Sequence, residues 1–423
     1  MKETINKSQR LFLTFLALPL SLVGIPIYLN ISDFYARKFD LNLAIIGLLL
    51  IFVRIFDALQ DPAIGYFSDK LAQKKITHKK IIIYSSLLLA VSFYLVFNPP
   101  FFLNQSAAIL WFGATLLFTY TCFNFAVINF ESLVAMSAHN DFERITLNST
   151  KEFFGLIGMI FAFLLPTVFA KLNLNNEKNY LALSLVFAGF LIFALVLLTK
   201  NKIDFTPHFS GQKLKLSEVF RDKKFRIFLT IFFINSIAVS LPAANLVFYV
   251  TDILQQEQNL GYFLAIYFLS AALCISLWKY LAKRHGIIKI WIITISGSII
   301  TFYFAYLIDK GSANYFYLIC FFSGAFLGAD LIAPPAILSK ITQDKKEFIS
   351  SYFSLWNMVT KFGLMIAASV SLITLGLAGY KPSDSMREGL MMIPFFYAAL
   401  PCMIKIIVAW SLIKIDQKKI YET

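Results

Sequence analysis

The stretch Arg54-Ile-Phe-Asp57-Ala-Leu-Gln60-Asp61-Pro62 lies inside an apolar run from Leu43 to Phe67 that is long enough to cross a bilayer. A carboxylate in hydrocarbon is costly unless it is paired or hydrated. At spacing i, i+4, both carboxylates leave one face of a helix. Two acids on one face repel each other unless a cation or a proton sits between them. By helix rise, Asp61 stands about 12 Å and Asp57 about 18 Å from Asp69, where the run ends, so both fall near mid-membrane. The expectation is a coupling-ion site, with Arg54 as the structural partner of Asp57 or of groups in the inner loops.

The rest of the chain has the composition of a membrane protein. It has 423 residues, 58% of them hydrophobic and only 15% charged, where a soluble domain is about 25% charged. Apolar runs predict twelve spans. They start near Leu11, Leu43, Ile81, Ala107, Phe153, Leu181, Phe225, Leu260, Ile287, Ala313, Phe348 and Leu390. With the N-terminus inside, the inner segments hold 27 basic residues and the outer loops 7, which orients the chain with both termini cytoplasmic. This asymmetry accounts for most of the +14 net charge and excludes nucleic acid as a partner. No small-residue cleavage site follows the first apolar run, so that run reads as a span, not a signal peptide. Cys122, Cys274, Cys320 and Cys402 fall inside spans without metal-ligand spacing and read as free thiols.

The longest polar stretch, 200–224, falls between the sixth and seventh spans. It divides the chain into an N-terminal six-helix bundle (1–199), a cytoplasmic middle loop (200–224) and a C-terminal six-helix bundle (225–423). Within the loop, Lys215 to Asp222 is expected to form a short interfacial helix. The fold class is all-α, a polytopic membrane protein of two six-helix bundles in a major-facilitator layout.

Further intramembrane polar residues extend the candidate site. Lys361 lies deep in the eleventh span, about 20 Å from Glu347 if helical, too deep for easy snorkelling. It is expected to pair with Asp57 or Asp61 and to compete with the coupling cation. Asn124 and Gln60 are candidate cation ligands, with interhelical hydrogen bonding the plainer reading of Asn124. Glu131 on the fourth span, Lys151 at the start of the fifth and Asp330 on the tenth are candidate substrate-binding residues. Pro334-Pro335, just after Asp330, is expected to break its helix and free carbonyls toward a cavity. The segment Asp141-Phe-Glu143-Arg144 reads as an inner loop, either solvated or a gate latch. The four histidines, His78, His139, His208 and His285, all read as inner-loop residues.

Together these motifs resemble the glycoside–pentoside–hexuronide:cation symporters, the melibiose permease group of the major facilitator superfamily. The Arg-x-x-Asp-x-x-x-Asp-Pro pattern is met by Arg54, Asp57, Asp61 and Pro62. Lys-x-Gly is met by Lys361 and Gly363, Gly-Tyr-x-Pro by Gly379, Tyr380 and Pro382, and the Glu-Arg pair by Glu143 and Arg144. The resemblance implies that Asp57 and Asp61 bind Na⁺, Li⁺ or H⁺. The chain departs from the family where sugar is gripped. Helix one has no acid between Leu18 and Gly24, the helix-four acid is replaced by Asn124 or displaced to Glu131, Gln60 stands where Asn is usual, and Lys151 stands for an arginine. A galactoside is therefore not expected as the substrate.

The function expected is a secondary active transporter, a cation-coupled symporter moving a small organic solute by alternating access. The rival readings are a lipid or amphiphile carrier of the same fold, and a non-transporting membrane sensor or scaffold. No Gly-x-x-x-x-Gly-Lys-Ser/Thr loop is present to power a pump, and the scattered histidines offer no enzyme site. The expected partners are a small-molecule substrate, a monovalent cation (Na⁺ or H⁺) and the lipid bilayer. No cofactor is expected, and no metal beyond Na⁺ at Asp57 and Asp61. The expected form is a monomer in the bacterial inner membrane.

Overall fold

The computed structural model describes residues 6–41, 43–171, 176–201, 216–379 and 387–417. Most of the middle loop, His208, and Tyr380 and Pro382 of the Gly-Tyr-x-Pro motif lie outside them. The described residues form helices and contain no strand. A bilayer has this effect, because each backbone N–H and C=O must find its partner within the segment.

In chain order the α-helices are α1 (Lys7–Thr14), α2 (Ala17–Phe39), α3 (Leu43–Leu59), α4 (Asp61–Gln73), α5 (His78–Phe97), α6 (Gln105–Ser137), α7 (Asp141–Lys171), α8 (Asn176–Lys200) and α9 (Leu216–Arg221). They continue with α10 (Lys223–Phe248), α11 (Leu260–His285), α12 (Ile287–Leu307), α13 (Phe316–Ile341), α14 (Ile349–Leu377), α15 (Arg387–Leu390), α16 (Met392–Pro394) and α17 (Leu400–Gln417). Among the described residues nine helices are long and apolar enough to cross a membrane. The three other spans read from the sequence correspond to α2, to α3 with α4, and to α7.

Polar side chains start several of these helices. Thr77 accepts from the Lys80 N–H at α5, Asn104 from Ala107 at α6, and Asp222 from Lys224 and Phe225 at α10. Each satisfies a backbone donor that the first turn leaves open. The Glu143–Arg144 pair is part of such a start and not a loop. It lies in the first turn of α7, where the Glu143 carboxylate accepts from the His139 N–H at 2.8 Å and Arg144 binds Asp141 at 2.6 Å. The expected break at Pro334-Pro335 is also absent, since both prolines sit inside an unbroken α13. A proline removes the bond to the carbonyl four residues back but does not force the helix to stop.

The chain forms two compact units. The first comprises Met1–Val219 with Thr342–Met358, and the second Phe220–Ile341 with Val359–Thr423. The core of the first gathers Tyr35, Phe93, Phe97, Phe112 and Phe187, all fully buried. Within it α2 and α7 approach closely at Gly158, where a Cβ would run into the backbone carbonyl of Leu18. Asp69 ties the segment 342–358 to the rest of the first unit. The Asp69 carboxylate accepts from the Ser350 N–H at 2.9 Å, the Ser351 N–H at 2.8 Å and the Ser351 hydroxyl at 2.6 Å. The two N–H groups belong to the first turn of α14, which leaves them without partners inside the helix, a natural seat for an anion.

The core of the second unit is aromatic. Tyr249 and Tyr397 stack at 4.1 Å beside Phe263 and Phe316. Each tyrosine lies in a π-helical turn, Tyr249–Ile253 after α10 and Phe395–Ala399 before α17.

Candidate functional site

Pro62 shapes the first part of the site. It has no N–H to bond the carbonyl of Ala58, and the run read as one helix forms two, α3 and α4, meeting at Gln60. Gln60 keeps helical dihedrals, and its N–H and C=O still bond Phe56 and Ile64 at 3.0 Å each. The helical course therefore continues through the joint, and Asp57 and Asp61 share a face. Both are inside the unit, Asp57 at 2% and Asp61 at 0% exposure.

Helix α6 supplies their polar surroundings. The Asn124 amide donates to an Asp57 carboxylate oxygen at 2.8 Å. Three residues earlier Thr121 donates to the Gln60 side-chain carbonyl at 2.8 Å. The Arg54 guanidinium lies over the Tyr120 ring at 5.0 Å. The structure thus brings Asp57, Gln60 and Asn124 into one hydrogen-bonded patch, with Arg54 at its edge against α6.

Glu131 and Lys151 come together elsewhere in the same unit. The Lys151 ammonium meets both Glu131 oxygens, at 2.7 and 2.8 Å, and Glu152 at 2.9 Å. An ammonium has three donors. All three are matched by carboxylate oxygens, which leaves none for a solute. The structure thus places Lys151 and Glu131, both candidate substrate-binding residues, in one ion triad with Glu152.

His78 also departs from its expected place in a loop. It is the first residue of α5, is buried, and its Nδ1 lies 2.8 Å from the Asn129 side-chain carbonyl. Asn129 in turn donates to Ser68 at 2.8 Å, one residue before Asp69.

In the second unit Asp330 is clamped by two groups that the sequence reading did not use. Lys405 of α17 donates to one carboxylate oxygen at 2.8 Å and the Trp291 indole of α12 to the other at 2.6 Å. Lys405 gave the same signal as Lys361, a lysine inside an apolar run, Leu400-Pro-Cys-Met-Ile-Lys405-Ile-Ile-Val. Lys361 lies on the part of α14 that belongs to the second unit. Gly363, two residues on, is required by packing within that unit, since a Cβ there would lie 2.9 Å from the Ser236 Cβ of α10.

The model of the family described as MFS/sugar transport protein matches residues 14–417. The chain belongs to this family. It is 24% identical over 403 residues to a Bacillus subtilis (strain 168) protein called an uncharacterized symporter, YnaJ, covering 86% of this chain and 83% of that one. The Escherichia coli (strain K12) inner membrane symporter YicJ is 21% identical over 250 residues, 57% of this chain and 53% of that protein. Two solved structures share the fold. A bacterial homologue of the iron transporter ferroportin, in an outward-facing state, aligns with a TM-score of 0.74 at 13% identity, over 97% of this chain and 99% of the other. The major facilitator transporter FucP, in the outward conformation, aligns at 0.69 and 14%, over 95% and 99%. The chain is a secondary transporter of the major facilitator superfamily, a multi-pass membrane protein with a small-molecule substrate, and not an enzyme.

Proposed function

We propose that this transporter is a cation-coupled symporter of the inner membrane, acting as a monomer, and that Asp57 and Asp61 carry the coupling ion, Na⁺ or H⁺. The observation behind this reading is the buried pair of carboxylates on one helical face, with the Asn124 amide on one of them. Burying two like charges in low dielectric is expensive. A small cation or a proton between them removes most of that cost, so its binding and release are coupled to the state of the helices that present them. Gln60 is the neighbouring polar side chain positioned to offer a carbonyl oxygen. Arg54 sets the charge on the α6 side.

The test is a thermal melt of purified protein in NaCl, LiCl and choline chloride at equal ionic strength, repeated across pH. A cation that binds the folded state at a hundred times its Kd stabilises it by about 2.7 kcal/mol. Na⁺, Li⁺ or acid should stabilise the parent, and the response should vanish in Asp57→Asn and Asp61→Asn while their melts stay cooperative. An Asp61→Asn protein with the parent's full cation response sinks the assignment.

A further inference from the structure

The second unit contains a cavity of about 160 Å³ among α10, α11, α12, α13 and α17, ample for several waters or a small organic molecule. Most of its wall is apolar, with Tyr267, Phe268, Phe302 and Tyr397 contributing rings. Asp330 and Lys405 line the same space.

Three features give this cavity unused polar capacity. The Lys405 ammonium carries three donors, and among the described residues Asp330 is its single recorded acceptor. The Tyr267 and Tyr397 hydroxyls both line the cavity, and neither has a hydrogen bond to another described residue. Pro242, inside α10, has no N–H to give the Ala238 carbonyl, and both residues line the cavity. Donors and acceptors are therefore both on offer, next to aromatic faces. The helix irregularities are local to the same place, since Tyr397 is carried by the π turn before α17, and π turns recur at functional sites.

The charge balance selects the ligand. Asp330 with Lys405 is neutral as a pair. An anion or a cation alone would leave a net charge inside the bundle, at high cost. A zwitterion adds none. Its carboxylate would take the spare Lys405 donors, and its ammonium would take the Asp330 carboxylate, the Ala238 carbonyl and the ring faces. The apolar wall would hold the rest of the molecule.

We propose that this cavity is a solute site, and that its ligand is a small zwitterion with an apolar body, of the amino-acid type. This rests on the transporter reading above and names the substrate class for it. It does not rest on the cation site.

The experiment uses four probes that share one ring: L-phenylalanine, phenethylamine, 3-phenylpropionate and phenyl β-D-glucoside, with L-leucine as a second zwitterion. Each is titrated into the purified full chain, in NaCl and in choline chloride, and read by thermal melt and tryptophan fluorescence. Trp291 donates to Asp330 and should report the binding. The expected result is stabilisation by a zwitterion, none or at least about tenfold weaker binding for the singly charged analogues, and loss of binding in the double variant Asp330→Asn/Lys405→Met. That variant removes both charges together, which folded proteins tolerate far better than removal of one, and a cooperative melt checks its fold. Binding by the glucoside alone, binding by no zwitterion in either salt, or unchanged zwitterion binding in the folded double variant would each overturn the proposal. The cation reading fails separately, through absence of any Na⁺, Li⁺ or pH response.

Discussion

Replacing Lys151 with methionine removes one charge from a triad of three. Methionine is an unbranched, charge-free side chain that can fill much of the same space. In the native chain the Lys151 ammonium meets three carboxylate oxygens at 2.7, 2.8 and 2.9 Å. The side chains of Lys151, Glu131 and Glu152 are 4%, 11% and 20% exposed, so solvent screens them little. Without the ammonium, Glu131 and Glu152 become neighbouring carboxylates with no counter-charge. Breaking a buried pair on one side costs about 3 to 5 kcal/mol, most of it the penalty of the charge left behind. Lys151→Met should lose stability on that scale in a denaturant titration of purified protein. The companion variant Lys151→Met/Glu131→Gln leaves one carboxylate, the more exposed Glu152. It should be more stable than the single-charge deletion, with a coupling of about 0.5 to 3 kcal/mol in the double-mutant cycle. A loss below about 1 kcal/mol for Lys151→Met, or strictly additive losses, would show that the triad does not hold the bundle together.

Other expectations follow from single contacts. Gly158→Ala should destabilise the first unit by about 1 to 3 kcal/mol, because its methyl meets the Leu18 carbonyl of α2 and not a side chain that can move; an unchanged melt would show that α2 yields freely. Asp69→Ala should strip three donors from their acceptor, at about 1 to 3 kcal/mol for each buried group left unmet. The readout is amide hydrogen exchange, which should speed up at Ser350 and Ser351; exchange as slow as in the parent would mean that Asp69 is not what holds the start of α14. Asn124→Ala should weaken the cation response of the melt, since Asp57 loses a donor at 2.8 Å; a response as strong as the parent's would put Asn124 outside the ion site.

The spans were legible because hydrocarbon imposes a length and a composition, and the helix face shared by Asp57 and Asp61 was legible because spacing fixes it. Pro62 was in view too, but the sequence does not say whether a proline divides a helix or sits within it. Pro62 stands at the joint between α3 and α4, whereas Pro334 and Pro335 are absorbed into α13. Partners were the hardest to read. Glu131 meets a lysine twenty residues away and Asp330 one seventy-five residues away, and no local pattern marks either distance. Glu152 passed unnoticed because it sits beside Lys151 at the inner end of a span, where a charge is unremarkable. Asp69 was read only as the end of the apolar run, and its acceptor role depends on a segment about 280 residues further along the chain.

The intramembrane charges divide between the two units in a way that bears on coupling. The first unit carries the acids Asp57 and Asp61 on α3 and α4. It also carries the triad of Glu131, Lys151 and Glu152, on α6 and the inner part of α7. In the second unit Asp330 faces Lys405, and Lys361 adds a base. That side has a neutral ion pair beside an aromatic cavity. The two proposals put the ion on the first unit and the organic solute on the second, and separate binding measurements test each. The ion should bind without the solute and the solute without the ion, and their mutual effect on affinity, equal in both directions by linkage, should measure the coupling itself.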